Sequence, residues 1–270
     1  MGGTTEGKPN MEPSIQPPTP SASPESENPS VTSFAAKLSN IFVAPGEVFE
    51  EIRIRAVATV NWVVPLILAV VVGVVFVCVI FSQPGVLRKT RQAQEDAFQK
   101  QVKAGKMTQQ QADQAAQMLE KFMGPTVLKV IGSVSSAGVT VAWLFVGGMV
   151  FWAAGRLVFK ADLEYLKAVE AVALASIIGV LDSIIKMLLV LLTDDLGVNL
   201  GPVMFLRPFD PLNKMHVMLA AINLMTFWHL AVLAIGLSRL ARVSLGKAVA
   251  VVYAAWAVLA FLSLLPALLR

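Results

Sequence analysis

The chain has 270 residues, of which 56% are hydrophobic and only 15% are charged, and its formal net charge is +4. Its mean hydropathy of +0.67 and this composition are far more apolar than those of ordinary soluble domains, so a purely soluble protein is excluded. Because the basic residues are scattered along loops and are not massed with aromatic residues, we also expect no nucleic-acid partner.

Residues 1–31 form a segment of different composition, rich in Pro, Ser, Thr and Glu. They cannot bury enough apolar surface to offset the loss of chain entropy on folding, so a disordered cytoplasmic tail is predicted. They also lack the apolar core of a signal peptide, and the first span is therefore expected to stay in the mature protein. The rest of the chain, residues 32–270, is predicted to be a single five-helix membrane domain.

Two short amphipathic segments follow the tail. Apolar residues recur at helical spacing over 34–42 and again over 48–52, on the two sides of a break at Pro45-Gly46. One interpretation is a pair of short helices lying in the membrane interface. The other is that both helices pack on the cytoplasmic ends of the bundle, and the pattern does not choose between them.

Five long apolar runs account for most of the remaining chain. A hydrocarbon core of about 30 Å needs about 20 helical residues at a rise of about 1.5 Å each, and every run is long enough. The spans are predicted at about residues 62–82, 127–155, 168–193, 215–238 and 247–269. The expected fold class is all-α: a polytopic membrane protein with five transmembrane helices, short interfacial helices and an extramembrane helical hairpin.

The hairpin is predicted for residues 86–123, a polar, glutamine-rich insert between the first two spans. Thr108 and Gln111 form the capping box of its second helix. The insert is either a solvated spacer that shields the helix ends or an arm that docks a partner. In the span that follows, Gly132 and Ser136 form a small-xxx-small pair, which favours close helix packing.

Basic residues in short loops indicate the orientation of the chain, because the cytoplasmic side carries an excess of Lys and Arg. One such loop holds Arg156, Lys160 and Lys167, and another holds Arg239, Arg242 and Lys247. The loop at 194–214 carries more acidic than basic residues. The amino terminus is therefore predicted in the cytoplasm and the carboxyl terminus outside. Basic residues at 88–91 argue the other way, but they belong to a longer insert, where the rule weakens.

A candidate intramembrane polar site lies in the third and fourth spans. Asp182 and Lys186 stand four residues apart, so they share a helix face and can neutralise one another. Asn223, Thr226 and His229 follow one side of the fourth span and can hydrogen-bond across to them. Charges at this depth are costly unless they are paired or hydrated. Two interpretations stay open: a packing face sealed by a neutralised pair, or a hydrated site for an ion, a proton or a lipid headgroup.

No catalytic, cofactor-binding or metal-binding constellation is apparent. The two histidines are far apart and the single cysteine has no partner, so no metal-site spacing occurs. Residues 50–55 match the Glu-Glu-x-x-x-Arg string of intramembrane prenyl-protein proteases, but the histidine motifs that those enzymes need on later spans are missing. Charged residues on a solvated interfacial helix explain the match, and we expect neither enzymatic activity nor a cofactor.

Several short motifs resemble those of Yip1-domain (YIP1 family) membrane proteins. Residues 41–52 resemble the family's "Pro then Phe" entry, residues 209–211 its Pro-Phe motif, and residues 236–250 its Gly-Leu turn followed by Lys-Ala. The resemblance covers about residues 34–269. The large glutamine-rich insert is closer to bacterial members than to the compact eukaryotic ones.

The resemblance implies a non-enzymatic protein of a bacterial cytoplasmic (inner) membrane. Eukaryotic members are tied to vesicle trafficking and prenylated small GTPases, and no ligand residue carries over from them. The expected function is a membrane-organising or adaptor role through lipid or protein binding, with the lipid bilayer and a membrane-protein partner or homo-oligomer as partners. The alternative is a small transporter or permease component that uses the polar site around Asp182 and Lys186.

Overall fold

The structure, a computed structural model, describes residues 1–3, 32–122, 124–206 and 213–268. The chain divides into two units, residues 1–32 and 33–270. In the first unit, residues 1–3 have no regular secondary structure, and the predicted tail otherwise lies outside the described residues. The motif at 209–211 also lies outside them. The second unit holds the helices and the candidate site.

Eleven α-helices follow one another along the described part of the second unit. They are α1 Phe34–Val43, α2 Pro45–Ile54, α3 Val60–Ile80, α4 Pro84–Lys103, α5 Gln109–Phe122, α6 Pro125–Ala153, α7 Tyr165–Ala175, α8 Ile177–Thr193, α9 Lys214–Ala220, α10 Leu224–Ala241 and α11 Leu245–Leu268. A π-helical turn at Ala154–Val158 extends α6, and a 3₁₀ turn at Pro202–Phe205 lies between α8 and α9.

Five helical segments are long and apolar enough to cross a membrane. They are Val60–Ile80, Pro125–Val158, Tyr165–Thr193, Leu224–Ala241 and Leu245–Leu265. The third consists of α7 and α8, which meet at a break at Ser176. Since the described residues also contain no strand, the prediction of an all-α polytopic membrane protein is confirmed.

The fourth predicted span, about 215–238, differs from the structure, which divides it into α9 and α10. Asn223 caps α10, because its Oδ1 accepts a hydrogen bond from the Met225 N–H at 3.0 Å. The Leu224 N–H donates to the Leu200 carbonyl at 3.0 Å and not to its own helix. A distant loop therefore replaces an intrahelical hydrogen bond, which hydropathy along the sequence does not reveal.

Helices α1 and α2 pack against one end of the bundle, as in the second interpretation of the amphipathic segments. Ile41, Phe49 and Ile52 are almost completely buried in the main apolar core. The Phe49 ring lies against Gly236 of α10, where a Cβ atom would come within 3.1 Å of the ring. The position of α2 therefore depends on the absence of a side chain at Gly236.

Small residues allow α3 and α6 to approach closely. A Cβ atom on Gly73 would lie 2.7 Å from Ser136 Oγ, and one on Gly132 would lie 2.8 Å from a methyl group of Val77. Gly132 and Ser136 thus make the close contact that the small-xxx-small pattern favours.

Helices α4 and α5 form a hairpin between the first two spans. The Thr108 N–H donates to Gln111 Oε1 at 2.9 Å and the Gln111 N–H donates to Thr108 Oγ1 at 3.2 Å, so the predicted capping box is present. At the base of the hairpin, the Lys89 ammonium donates to the Thr193 carbonyl at the end of α8 at 3.0 Å. This bond fixes the start of α4 to the end of the third span.

Candidate functional site

A cavity of about 740 Å³ lies between the spans. Residues of α3, α6, α7, α8, α10 and α11 line it, and most of the lining side chains are apolar. This volume is within the range of small-molecule binding sites, which are apolar clefts with a few polar groups that orient the ligand. The cavity is therefore the candidate functional site.

The polar residues singled out in the sequence meet at this cavity. Asp182 and Lys186 on α8 and Thr226 and His229 on α10 line it. The fifth residue, Asn223, is hydrogen-bonded to Asp182. The structure thus brings the five residues together, although they come from two spans.

Asp182 is held by Asn223 and not by Lys186. The Asn223 Nδ2 donates to the two carboxylate oxygens of Asp182 at 3.3 and 3.2 Å. Asn223 also caps α10, so the carboxylate faces the positive end of that helix dipole. Lys186 forms no ion pair with any residue that the structure describes. This differs from the first of the two interpretations, a neutralised pair of Asp182 and Lys186, because an amide on a neighbouring helix supplies the donor.

Asp182 lies well inside the apolar layer. Asn61 at the start of α3 contacts Glu170, and Ile80 at the end of α3 packs in one apolar cluster with Val190. The third span therefore runs alongside α3 between these two contacts. At a rise of about 1.5 Å per residue, Asp182 is about 18 Å from the level of Glu170 and about 12 Å from that of Val190. The start of α10, bonded to Asp182, lies at the same depth.

A helix end inside the apolar layer needs partners for its backbone groups. The loop after α8 supplies them, since Asn199 Nδ2 donates to the Ala220 carbonyl at 2.8 Å in addition to the bond at Leu200. Gly201 lies so close to Ile222 that a Cβ atom would come within 1.9 Å of its carbonyl oxygen. The α9–α10 break is thus a supported discontinuous helix, a feature found at the binding sites of many transporters.

The cavity opens sideways, between α6 and α11. Val139 and Trp143 of α6 line it and yet are 65% and 64% exposed, and Leu259 of α11 is 40% exposed. α6 packs on α3 and α7, whereas α11 packs mainly on α10. The opening therefore lies within the apolar spans and faces the membrane.

Aromatic contacts hold α11 in place as one wall of the cavity. The Tyr253 hydroxyl donates to the Phe227 carbonyl of α10 at 3.0 Å. The Phe227 ring stacks on Tyr253 at 6.2 Å between centroids and meets Trp256 edge-on at 5.4 Å. These contacts fix the wall that carries Trp256, which itself lines the cavity.

A second polar group, buried beside the start of α3, was missed in the sequence. The Lys167 ammonium donates to Glu170 Oε2 at 3.0 Å and to the Arg55 carbonyl at 2.8 Å. The Asn61 Nδ2 donates to Glu170 Oε1 at 2.5 Å. Glu170 is 1% exposed. The sequence pattern places Lys167 in a loop, and the signal in favour of a buried position is the mostly small and apolar sequence that begins at Ala168.

This buried group continues into α1 and α2. Glu51 pairs with Lys37 at 3.3 Å and with Arg55 at 3.1 Å, and the Glu51 side chain is only 13% exposed. The interpretation of residues 50–55 as charges on a solvated helix is therefore wrong for Glu51. Its carboxylate joins α1 to α2, and the match to the protease string reflects this structural pairing.

On the outer side of α2, Glu50 lies in a basic environment. Hydrogen bonds from Arg53 lower the pKa of Glu50 below its ordinary value, and the positive charges of Arg239 and Arg242 act in the same direction. The end of the bundle that carries α2 is thus also the end where the basic residues of the α10–α11 turn gather.

The family model of the Yip1 domain matches residues 39–265. The match takes in the second half of α1, the five spans and the residues of both polar groups except Lys37. Neither a curated protein nor a solved structure matches the chain. Among the described residues, no group of three His, Cys, Asp or Glu side chains comes together as a metal site.

We expect Lys167→Met to destabilise the protein by about 3–5 kcal/mol, because the Glu170 carboxylate is then buried without its counter-charge. The double variant Lys167→Met/Glu170→Gln should recover much of this loss, since the amide oxygen still accepts from Asn61. The measurement is the unfolding free energy in detergent. Lys247→Met, at an exposed position on α11, is the control and should behave as wild type. Equal instability of the single and double variants would contradict the pairing.

We expect Asn223→Asp to destabilise the protein by about 1–3 kcal/mol, because it removes the donor to Asp182 and places a second carboxylate beside it, while the helix cap is kept. The exchange Asp182→Asn/Asn223→Asp should restore stability, since donor and acceptor only change places. The loss and recovery of stability are measured by thermal unfolding of the wild type, Asn223→Asp and the exchanged variant. Asn213→Asp makes the same change at the exposed cap of α9 and should be neutral. No recovery in the exchanged variant would rule out this bond as the anchor of α10.

Proposed function

The chain belongs to the Yip1 domain family, and on this premise we propose that it is a non-enzymatic, membrane-organising protein that binds a membrane lipid in the cavity between its spans. The observation that carries the proposal is the lateral opening of an apolar cavity between α6 and α11. A ligand that diffuses within the membrane reaches such an opening directly.

The composition of the cavity wall supports an amphipathic ligand. The apolar side chains from five spans suit hydrocarbon chains. The two formal charges of the lining both lie on α8, with Thr226 and His229 on α10 and further hydroxyl groups on α6. A ligand with an apolar body and a polar end matches both parts. Lipids are the abundant amphipathic molecules of the membrane around the spans.

The adaptor part of the proposal rests on the α4–α5 hairpin. Its base is fixed by the bond from Lys89 to Thr193 and by Gly85, where a Cβ atom would come within 2.3 Å of the Asp194 carboxylate. The hairpin is therefore held in a defined place beyond the spans. It offers a surface to a membrane-protein partner or to a second copy of the chain, with a solvated spacer as the other role.

We place the protein in a bacterial inner membrane, with its amino terminus in the cytoplasm and its carboxyl terminus outside. Lys167 no longer counts toward this orientation because it is buried, but Arg156 and Lys160 do. Arg239 and Arg242 lie at the same end of the bundle. On the opposite end, Lys89 donates to a helix C-terminus. It and the neighbouring basic residues belong to a longer insert, where the positive-inside rule weakens.

A small transporter or permease component is the second candidate function. The discontinuous helix at Asn223 and the charges of Asp182 and Lys186 beside it favour this alternative, because interrupted helices near the midplane form the substrate sites of many transporters. A transport site needs access from water. A lipid site needs access from the membrane.

Filling the cavity should reduce lipid binding. A Cβ atom on Gly179 would meet only His229 Nδ1, at 4.0 Å, so Gly179→Leu extends into free space and should fold normally. We expect it to lower the lipid-to-protein ratio after mild-detergent purification several-fold, as measured by mass spectrometry. Gly138→Leu is the matched control, since a side chain there meets nothing within 4 Å. Equal lipid retention in both variants would count against the cavity as a lipid site.

Cysteine labelling in intact cells tests orientation and access together, in a Cys78→Ser background. A cysteine in place of Lys100 on α4 should react with a membrane-impermeant thiol reagent, and one in place of Lys160 only after permeabilisation. The reverse pattern would overturn the orientation. A cysteine in place of Ser183, on the cavity wall, should stay protected throughout because lipid fills the cavity. Labelling of Ser183→Cys from water would favour the transporter.

A further inference from the structure

We infer that the lipid held in the cavity is an anionic one, and that the ammonium group of Lys186 recognises its acidic headgroup. This inference rests on the proposed function, because it names the chemistry of the ligand at the same site. The observations that carry it are the free charge on the cavity wall, its depth in the layer and the position of the opening.

The cavity wall carries two formal charges, and they are not equivalent. The Asp182 carboxylate already accepts from Asn223 with both of its oxygens. The Lys186 ammonium has no carboxylate partner within the described ranges of the chain. The charge still available to a ligand is therefore positive, and an anionic group complements it.

The hydroxyl groups on the α8 and α10 sides of the cavity differ in whether they are already bonded. Ser176 donates to the Ala173 carbonyl at 2.6 Å and Ser183 donates to the Gly179 carbonyl at 2.9 Å, so both hydroxyls are bonded to their own helices. Thr226 lines the cavity across from α8 and donates to no group in the part of the chain that the structure describes. Thr226 is therefore a cavity hydroxyl that is still available to a polar group of the ligand.

The depth of Lys186 suits a lipid headgroup. It precedes Val190 by four residues, which places its Cα about 6 Å inside the level where α3 ends. A lysine side chain spans such a distance, with its stem among apolar groups and its ammonium at the interface. An acidic headgroup at this level leaves the acyl chains to extend into the cavity. The lipid then belongs to the leaflet on the α4–α5 side.

The test compares two lipids with the same acyl chains, phosphatidylglycerol and phosphatidylcholine, added to the purified full-length protein after removal of native lipid. Binding is measured by native mass spectrometry and by the shift in melting temperature. We expect phosphatidylglycerol to bind about tenfold more tightly, since one charge-assisted contact contributes an effect of that order. Lys186→Gln should abolish the preference, so that the two lipids bind equally, whereas Lys186→Arg should keep it. Lys100→Gln, at an exposed lysine of α4, should keep it as well.

The other outcomes separate this inference from the proposed function. Equal binding of the two lipids by the wild type, or a preference that survives in Lys186→Gln, would overturn the role of Lys186 and leave lipid binding in place. Binding of neither lipid would overturn the proposed function itself. Inorganic phosphate is expected to give no shift in melting temperature at the same concentration. A shift equal to that of phosphatidylglycerol would show that the site takes a free anion, and would overturn the lipid assignment.

Discussion

The buried carboxylate of Glu170 is the group on which the rest of the structure depends. A charge that is 1% exposed must be compensated locally, and its two oxygens are reached by Lys167 from its own helix and by Asn61 from α3. Lys167 in turn holds the Arg55 carbonyl, so the chain entering the first span is fixed beside α7. The Lys167–Glu170 pair therefore aligns the start of α3 with the start of the third span. It also fixes the end of α2 beside the bundle, because Arg55 directly follows that helix.

The cavity follows from this alignment. The third span is 29 residues long and α3 only 21, but they share one level at Glu170 and another at Val190. α10 begins between these levels, beside Asp182. The part of the layer between Asp182 and Val190 that α10 does not reach is occupied by α9 and the loop around Asn199. α11 packs mainly on α10, while α6 packs on α3 and α7. These two helices therefore do not pack against each other. An open space between them is the result.

Local features of the sequence were enough to predict the five spans, the hairpin and the capping box, because hydropathy and turn chemistry act over a few residues. Helical spacing also placed Asp182 and Lys186 on one face of the third span and the other three polar residues on one side of the fourth, with hydrogen bonds between the two sets as a possibility. The bond partners were predicted only in part: Asn223 was one of three candidates to bond Asp182 or Lys186, and the partner of Glu170 was not predicted. Asp182 bonds Asn223, 41 positions away, and Asn61 bonds Glu170, 109 positions away. Such pairings, like the α9–α10 break, depend on tertiary neighbours that no periodicity encodes.

The polar group at Glu170 and the polar group at the cavity differ in how their charges are compensated. This difference indicates which of the two has a charge available to a ligand. At Glu170 the carboxylate, the ammonium and the amide satisfy one another inside the protein, so nothing is left for a ligand. At the cavity Asp182 is satisfied by Asn223, but Lys186 faces an apolar space that opens to the membrane. Leaving a cation there is costly unless an anion or water accompanies it. In the proposed complex, an acidic headgroup supplies that anion near Lys186, and its acyl chains occupy the apolar space beside it.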